Sequence, residues 1–159
     1  MADGCGRIEA RLKELGIELP AVSRPLAAYV PAVRTGRYVY VSGQLPVVDG
    51  KPAFTGKVGA EVTPEEGRRA ARLAAINALA ALAGAVGNLD SVVRIVKVTG
   101  YVASAAGFEG QPTVVNGASE LLGEVFGEAG RHARAAVGVA ELPLGVPVEI
   151  ELIAEIDQP

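Results

Sequence analysis

The chain has 159 residues, of which 50% are hydrophobic and only 4% aromatic, and its formal net charge is -3. That length suits one domain with a substantial core, and the lack of a basic run disfavours tight nucleic-acid binding. A single cysteine, Cys5, and a single histidine, His132, exclude an intrachain disulfide and a metal site built from several of these residues. The high apolar fraction favours burial of some surface between subunits.

No targeting or membrane-spanning segment is predicted. The first residues lack a basic stretch followed by an apolar core, so we expect no secretory signal. The most apolar window, residues 70–86, contains Arg72 and Asn77 and is shorter than a usual membrane span. We therefore expect a soluble, cytoplasmic protein with no membrane partner.

The first 25 residues are predicted to form a short helix and a linker outside the main domain. Apolar side chains recur at helical spacing within residues 7–15, and Gly16 ends the pattern. Two prolines within residues 19–25 indicate extended chain. The sequence therefore divides into an N-terminal helix and linker, residues 1–25, and a single domain, residues 26–159.

Two strands and a long helix come next. Residues 29–33 and 38–42 are rich in valine and tyrosine and flank a Thr-Gly turn, which predicts a hairpin. The sequence does not decide whether a further short strand follows this hairpin. Thr63 begins the capping-box pattern Thr-Pro-Glu-Glu, so a helix is predicted to start there and to run to about Val86. Its broad apolar side should lie against a sheet.

The remaining elements complete an α+β domain. β-Branched residues predict a strand over 92–102, and residues 113–128 are predicted to form a second long helix after a loop. The stretch from Ala133 to Ile156 predicts two strands joined by a Leu-Pro-Leu-Gly turn. This order indicates a mixed sheet with both long helices on one face.

The last two predicted strands carry the charges that a pocket for a small anion would need. Arg134 stands near the start of the first strand, and Glu149 and Glu151 alternate with apolar residues on the second. Arginine binds a carboxylate through two parallel hydrogen bonds, and a glutamate can exchange protons with a water. Each residue by itself is more typical of a solvent-exposed strand face, so the functional interpretation needs support beyond this spacing.

His132 has two interpretations. It could be a general base, but a nucleophilic triad also needs a serine or cysteine and an acid close in space, which sequence does not show. The simpler interpretation is that His132 shapes the turn before the following strand. No GxGxxG pattern follows a predicted strand, so dinucleotide binding has no support, and we expect neither a metal nor an organic cofactor.

Three ordered motifs resemble the RidA family, the reactive-intermediate imine deaminases that are also called YjgF or endoribonuclease L-PSP proteins. They are the VSGQLP stretch at residues 41–46, Asn116 within TVVNGASELL, and the C-terminal ARAAVGVAELPLGVPVEIELIAEI. The similarity spans roughly residues 29–156. It implies a chorismate-mutase-like α+β fold and a homotrimer with a ligand cleft at each subunit interface.

The resemblance also implies the residues of that cleft. Arg134 is expected to pair with the carboxylate of the substrate, and Glu149 is expected to handle the attacking water. Further residues are expected to contact the substrate, the last of them through its backbone N–H: Tyr29, Ser42, Gly43, Asn116 and Ala136.

Several positions depart from the family pattern, as in a divergent sub-branch. Ala136 stands where the family often has cysteine, two alanines precede Tyr29 where the family has Gly-Pro, and Gly138 replaces a commonly acidic residue. The loop at residues 104–112 is longer than usual, and the N-terminal helix is an addition.

The implied activity is hydrolysis of small 2-imino or 2-enamino acids to 2-keto acids and ammonia, without a cofactor. The alternative is a protein that only binds a 2-keto acid or a similar carboxylate-bearing metabolite, which the absent cysteine and the changed context of Tyr29 favour. Some relatives are labelled endoribonucleases or translation inhibitors. The acidic balance and the single histidine disfavour RNA cleavage.

Overall fold

The computed structural model describes residues 6–22 and 28–157. The elements in chain order are α1 (Arg7–Glu14), β1 (Ala32–Thr35), β2 (Tyr38–Gln44), β3 (Val47–Val48), β4 (Lys51–Pro52), α2 (Pro64–Val86), β5 (Val92–Ala103), α3 (Gln111–Phe126), β6 (Ala133–Val139) and β7 (Val148–Ile156). The predicted α+β order is confirmed. At the position where the sequence did not decide on a further strand, the structure has the small β3–β4 hairpin.

Five strands form a mixed sheet in the order β1-β2-β7-β5-β6. β5 and β6 are parallel, and the other neighbouring pairs are antiparallel. β6 therefore forms one edge of the sheet. The strands β6 and β7 follow each other in the sequence but are not neighbours, because β5 lies between them.

α2 and α3 pack side by side on one face of the sheet, as predicted. The buried side of α2 consists mostly of alanines, which allow the helix to lie close to the strands. A side chain at Gly117 of α3 would collide with the main-chain oxygen of Arg68, so glycine permits backbone contact between the two helices. α2 has the length and composition of a membrane span, but half of its apolar window is buried in the protein core.

The opposite face of the sheet carries exposed apolar side chains. Val33 and Tyr40 are opposite each other on β1 and β2, and Tyr40 is opposite Ile153 of β7. Residues opposite each other on neighbouring strands share a face. Val33, Tyr38, Tyr40 and Val137 are each 42–52% exposed. We call this surface, on the side of the sheet away from α2 and α3, the outer face.

The N-terminal helix is fastened to the rest of the domain. Its Ile8 and Leu12 are buried, and the backbone N–H groups of Arg7 and Ile8 each donate to the Asp90 carboxylate at 2.8 Å. Asp90 therefore satisfies the first donors of α1 from another part of the chain. The predicted boundary at residues 25 and 26 lies outside the described residues, as does Cys5.

The starts of two elements differ from the sequence prediction. The first strand begins at Ala32 rather than Tyr29, because the turn pairs Thr35 with Tyr38 and the ladder ends at the pair Ala32–Val41, next to Pro31. α3 begins at Gln111 rather than at residue 113, because Pro112 is compatible with the first helical turn.

Candidate functional site

Arg134 points from the edge strand β6 toward the helices. It is aligned with Val98 of β5, whose side chain is buried beneath the helices, and aligned residues share a face. Its Nη1 donates to Asn116 Oδ1 at 2.7 Å and to Ser119 Oγ at 3.2 Å. Its Nη2 donates to the main-chain oxygen of Pro112 at 3.3 Å. Three neutral acceptors, all on α3, thus orient the guanidinium.

Ser119 is a residue of this cluster that the sequence analysis did not identify. Its hydroxyl also lies 2.9 Å from His132 Nε2, and His132 Nδ1 lies 2.6 Å from the carbonyl oxygen of Gly130. Ser119 follows Asn116 by three positions on α3, so both side chains lie on one side of the helix. The three-residue spacing from Asn116 was the sequence signal that could have identified Ser119. The group that orients the His132 ring is a carbonyl in the turn before β6, so His132 does shape this turn, as the simpler interpretation predicted.

Glu149 lies on the outer face, on the other side of the sheet from Arg134. Its neighbours on β7, Val148 and Ile150, are buried beneath the helices, so Glu149 points the opposite way. Burial raises the pKa of Glu149, and the nearby charge of Glu151 raises it further. Tyr101 donates its hydroxyl to Glu151 at 2.9 Å, which raises the pKa of the tyrosine. Glu149 is therefore a partly buried carboxyl group that binds a proton more readily than an exposed glutamate does.

The Ser-Gly pair of β2 lies beside Glu149, at an irregularity in the β2–β7 ladder. The register between these strands shifts between Val41 and Gln44. A Cβ atom at Gly43 would overlap the carboxyl group of Glu149, so only glycine leaves room for that group in its present position. Ser42 instead donates its hydroxyl to the carbonyl oxygen of Val30 at 2.7 Å and fixes the chain that leads into β1.

The two remaining predicted residues lie in different surroundings. The resemblance implies that Tyr29 belongs to the first strand. In the structure Tyr29 instead precedes this strand in a bend and is 52% exposed. Ala136 is two residues after Arg134 on β6 and packs against the core on the helix side. Its alignment with Gly100 confirms that it shares the face of Arg134.

Within one chain the predicted residues form two groups. Arg134, Asn116 and Ala136 lie at the edge of the sheet on the helix side, whereas Glu149 and Gly43 lie together on the outer face. β5 lies between β6, which carries Arg134, and β7, which carries Glu149. The two strands are therefore two strand spacings, or about 10 Å, apart. Among residues 6–22 and 28–157, no group of three or more His, Cys, Asp or Glu side chains is arranged to hold a metal ion.

Comparisons with known proteins agree with this architecture. The family model described as "YjgF/chorismate_mutase-like, putative endoribonuclease" matches residues 9–156. The chain is 46% identical over 153 residues to Protein TCP17 of Trypanosoma cruzi, with 96% of each chain covered. It is similar to the crystal structure of the protein Atu1372 from Agrobacterium tumefaciens, with a TM-score of 0.87, 51% identity, and coverage of 94% of this chain and 92% of that chain.

A more distant solved structure contains a ligand. E. coli TdcF with bound serine matches with a TM-score of 0.61 and 26% identity, over 86% of this chain and 98% of that chain. The family match spans nearly the whole domain, and its α+β fold is the one described above. The chain therefore belongs to the YjgF/chorismate mutase-like family.

Proposed function

We propose that this chain hydrolyses small 2-imino or 2-enamino acids to 2-keto acids and ammonia at a cleft between copies of the chain. The observation that carries this proposal is the set of hydrogen bonds made by the Arg134 guanidinium. Three neutral acceptors orient its guanidinium, and no carboxylate in the described part of the chain ion-pairs with it. An oriented guanidinium without a negative partner is suited to bind a substrate carboxylate. The serine in E. coli TdcF carries such a group.

Glu149 is the proposed proton carrier. Because burial raises its pKa, it can exchange a proton closer to neutral pH than an exposed glutamate can. In the proposed reaction a water oxygen adds to the imine carbon while Glu149 takes a proton from that water. Transfer of that proton to the imine nitrogen gives a carbinolamine. Transfer of the remaining hydroxyl proton to the same nitrogen, again through Glu149, then allows the C–N bond to break. Ammonia leaves, and the former water oxygen becomes the keto oxygen.

Two copies are needed for this chemistry, since Arg134 and Glu149 point to opposite faces of one sheet. A substrate with only a few atoms between its carboxylate and its imine carbon does not reach both groups in one chain. The exposed apolar side chains of the outer face are the kind of surface that a subunit interface covers. We therefore propose that Arg134 of one copy and Glu149 of its neighbour share the site, in the homotrimer that the resemblance implies. Native mass spectrometry is expected to give three times the chain mass of 16.2 kDa, and a monomer would contradict the shared site.

A coupled assay tests the reaction. An amino-acid oxidase generates a series of 2-imino acids, and semicarbazide traps the imine that has not been hydrolysed. Arg134→Ala is expected to lower kcat/KM about 10- to 100-fold, because it removes charge-assisted hydrogen bonds to the carboxylate. Arg69→Ala is the matched control: it also removes one positive charge, but Arg69 lies on α2 over the ring of Phe54. Equal turnover by wild type and Arg134→Ala would disprove the proposed mechanism.

A second candidate is a protein that binds 2-keto acids without catalysis. The observation in its favour is that Tyr29 lies in a bend ahead of β1, whereas the resemblance implies a substrate-contacting tyrosine within the first strand. Keto-acid binding that depends on Arg134, without acceleration of imine loss for any substrate, would establish this alternative. The same purified protein is also tested for RNA cleavage, which the net charge of -3 disfavours.

A further inference from the structure

A chain of three hydrogen bonds leads from the turn before β6 to the guanidinium of Arg134. The carbonyl oxygen of Gly130 lies 2.6 Å from His132 Nδ1, and His132 Nε2 lies 2.9 Å from Ser119 Oγ. Ser119 Oγ in turn lies 3.2 Å from Arg134 Nη1. These residues border a groove of about 290 Å³ between α3 and β6. The proposed function above assigns no part to Ser119 or His132.

The groups at the two ends, together with the neutral form of His132, set the direction of every bond in this chain. A carbonyl oxygen only accepts, so His132 Nδ1 carries the proton that bonds to Gly130. In the neutral imidazole, Nε2 is then an acceptor and receives the hydroxyl proton of Ser119. A guanidinium only donates, so the oxygen of Ser119 accepts from Arg134. Neutral His132 therefore orients the hydroxyl group that orients the guanidinium.

The charge that acts on His132 is that of Arg134 on β6, and α3 presents the uncharged Ser119. Arg131 lines the same groove, but its charge is paired with Glu128 in the turn before β6. Glu120 and Glu124 of α3 are paired with Arg68 and Arg72 of α2.

These surroundings favour the neutral form of His132. Burial lowers its pKa below the usual range, the hydrogen bond to Gly130 acts in the opposite direction, and the charge of Arg134 lowers the pKa further. At pH 7 the ring is therefore the neutral acceptor that the hydrogen-bond chain requires. A proton on Nε2 would add a second cation only one serine away from Arg134.

We propose that Ser119 and His132 are positioning residues of the carboxylate site and that they couple ligand binding at Arg134 to protonation of His132. The inference rests on the proposed function, which supplies the carboxylate. A carboxylate bound to Arg134 offsets the repulsion between the two cations. Binding therefore raises the pKa of His132. By reciprocity, the affinity for the ligand rises as the pH falls through that pKa.

The first test is a proton NMR titration of tag-free wild-type protein. His132 is the only histidine of the chain, so its ring signals report protonation directly. The titration runs from about pH 5 to about pH 8 for the protein alone, with saturating 2-oxobutanoate, and with 2-butanone, which lacks the carboxylate. The keto acid is expected to raise the pKa of His132, and 2-butanone is expected to leave it unchanged. The measurement is repeated in Glu149→Gln, because Glu149 also titrates and could alter ligand affinity.

Kinetics of two variants test the positioning role. Ser119→Ala removes one neutral hydrogen-bond partner of Arg134 and is expected to raise KM about 2- to 10-fold with kcat near the wild-type value. Ser119→Thr keeps a hydroxyl at the same position of α3 and is expected to restore KM. A folded Ser119→Ala protein with unchanged KM would overturn the positioning role.

The outcomes separate this inference from the proposed function. If 2-oxobutanoate binds, and Arg134→Ala abolishes that binding, an unchanged His132 titration overturns only the coupling. If wild type binds no keto acid, or Arg134→Ala binds it equally well, the proposed function fails and the inference fails with it. The NMR test uses wild-type protein, so it does not depend on the folding of a variant.

Discussion

Gly43→Ala should separate the role of Glu149 in catalysis from its role in the fold. A Cβ atom at Gly43 would overlap the carboxyl group of Glu149, and the three nearest atoms all belong to that one side chain. The backbone at Gly43 does not have the positive φ that disfavours alanine. The substitution therefore moves the carboxyl group while the strand keeps its conformation.

The expected magnitudes follow from these contacts. General acid–base catalysis contributes about 10²- to 10⁴-fold to a rate, so displacing its carrier should lower kcat/KM by at least about 100-fold. A flexible side chain that leaves its preferred rotamer costs about 0.5–1.5 kcal/mol. Replacing glycine by alanine at a compatible position stabilises by about 0.4–1 kcal/mol. The two effects largely cancel, so the free energy of unfolding should change by less than about 1 kcal/mol.

The imine assay and urea denaturation are performed on Gly43→Ala, Glu149→Gln and the double variant. If the alanine acts only by displacing Glu149, the double variant should be no less active than Glu149→Gln alone. Gly100→Ala is the comparison, because its Cβ would collide with Val115 in the core, on the face opposite Glu149. It should lose stability instead. Full activity of Gly43→Ala, or a further loss in the double variant, would refute the reasoning.

Two further predictions concern stability. Burial, and to a smaller extent the charge of Glu151, raises the pKa of Glu149 above 4.5, so folding favours its protonated form. The folded protein therefore loses stability as Glu149 ionises, while the pH rises from about 4.5 through that raised pKa. Glu149→Gln should therefore match wild type near pH 4 and exceed it at pH 7 in urea denaturation, and an equal gap at both pH values would contradict the assignment. Asp90→Ala removes the acceptor of two backbone N–H groups of α1 and should cost about 1–2 kcal/mol, with exchange protection lost first at Arg7 and Ile8. Unchanged protection in hydrogen exchange would show that packing alone fastens the helix.

The helices could be predicted well because their signals are local. Thr63 and Glu66 form the predicted capping box, in which Thr63 Oγ1 accepts from Glu66 N at 3.2 Å and the Glu66 carboxylate accepts from Thr63 N at 2.8 Å. These groups are three residues apart, so the sequence contains the whole interaction. The start of β1 could not be predicted in this way, because it depends on how far pairing with β2 extends from the turn.

The site was predictable in its residue types but not in its arrangement. The motifs identified Arg134 and Glu149, and the alternation on β7 correctly placed Glu149 on the partly exposed face of its strand. The sequence did not indicate that β5 lies between β6 and β7. It also did not identify Ser119, since this residue meets Arg134 and His132 only when α3 packs against the edge of the sheet.

The sequence by itself determined the order of the elements, the capping of α2, the apolar side of each element and the family to which the motifs point. These features depend on side chains a few positions apart, which interact as soon as a helix or strand forms. Only the tertiary structure decided that Arg134 and Glu149 lie on opposite faces, that Gly43 leaves room for the Glu149 carboxyl group, and that Ser119 links His132 to Arg134. Strand order and helix packing join residues distant in the chain, and pattern within one segment does not encode those contacts.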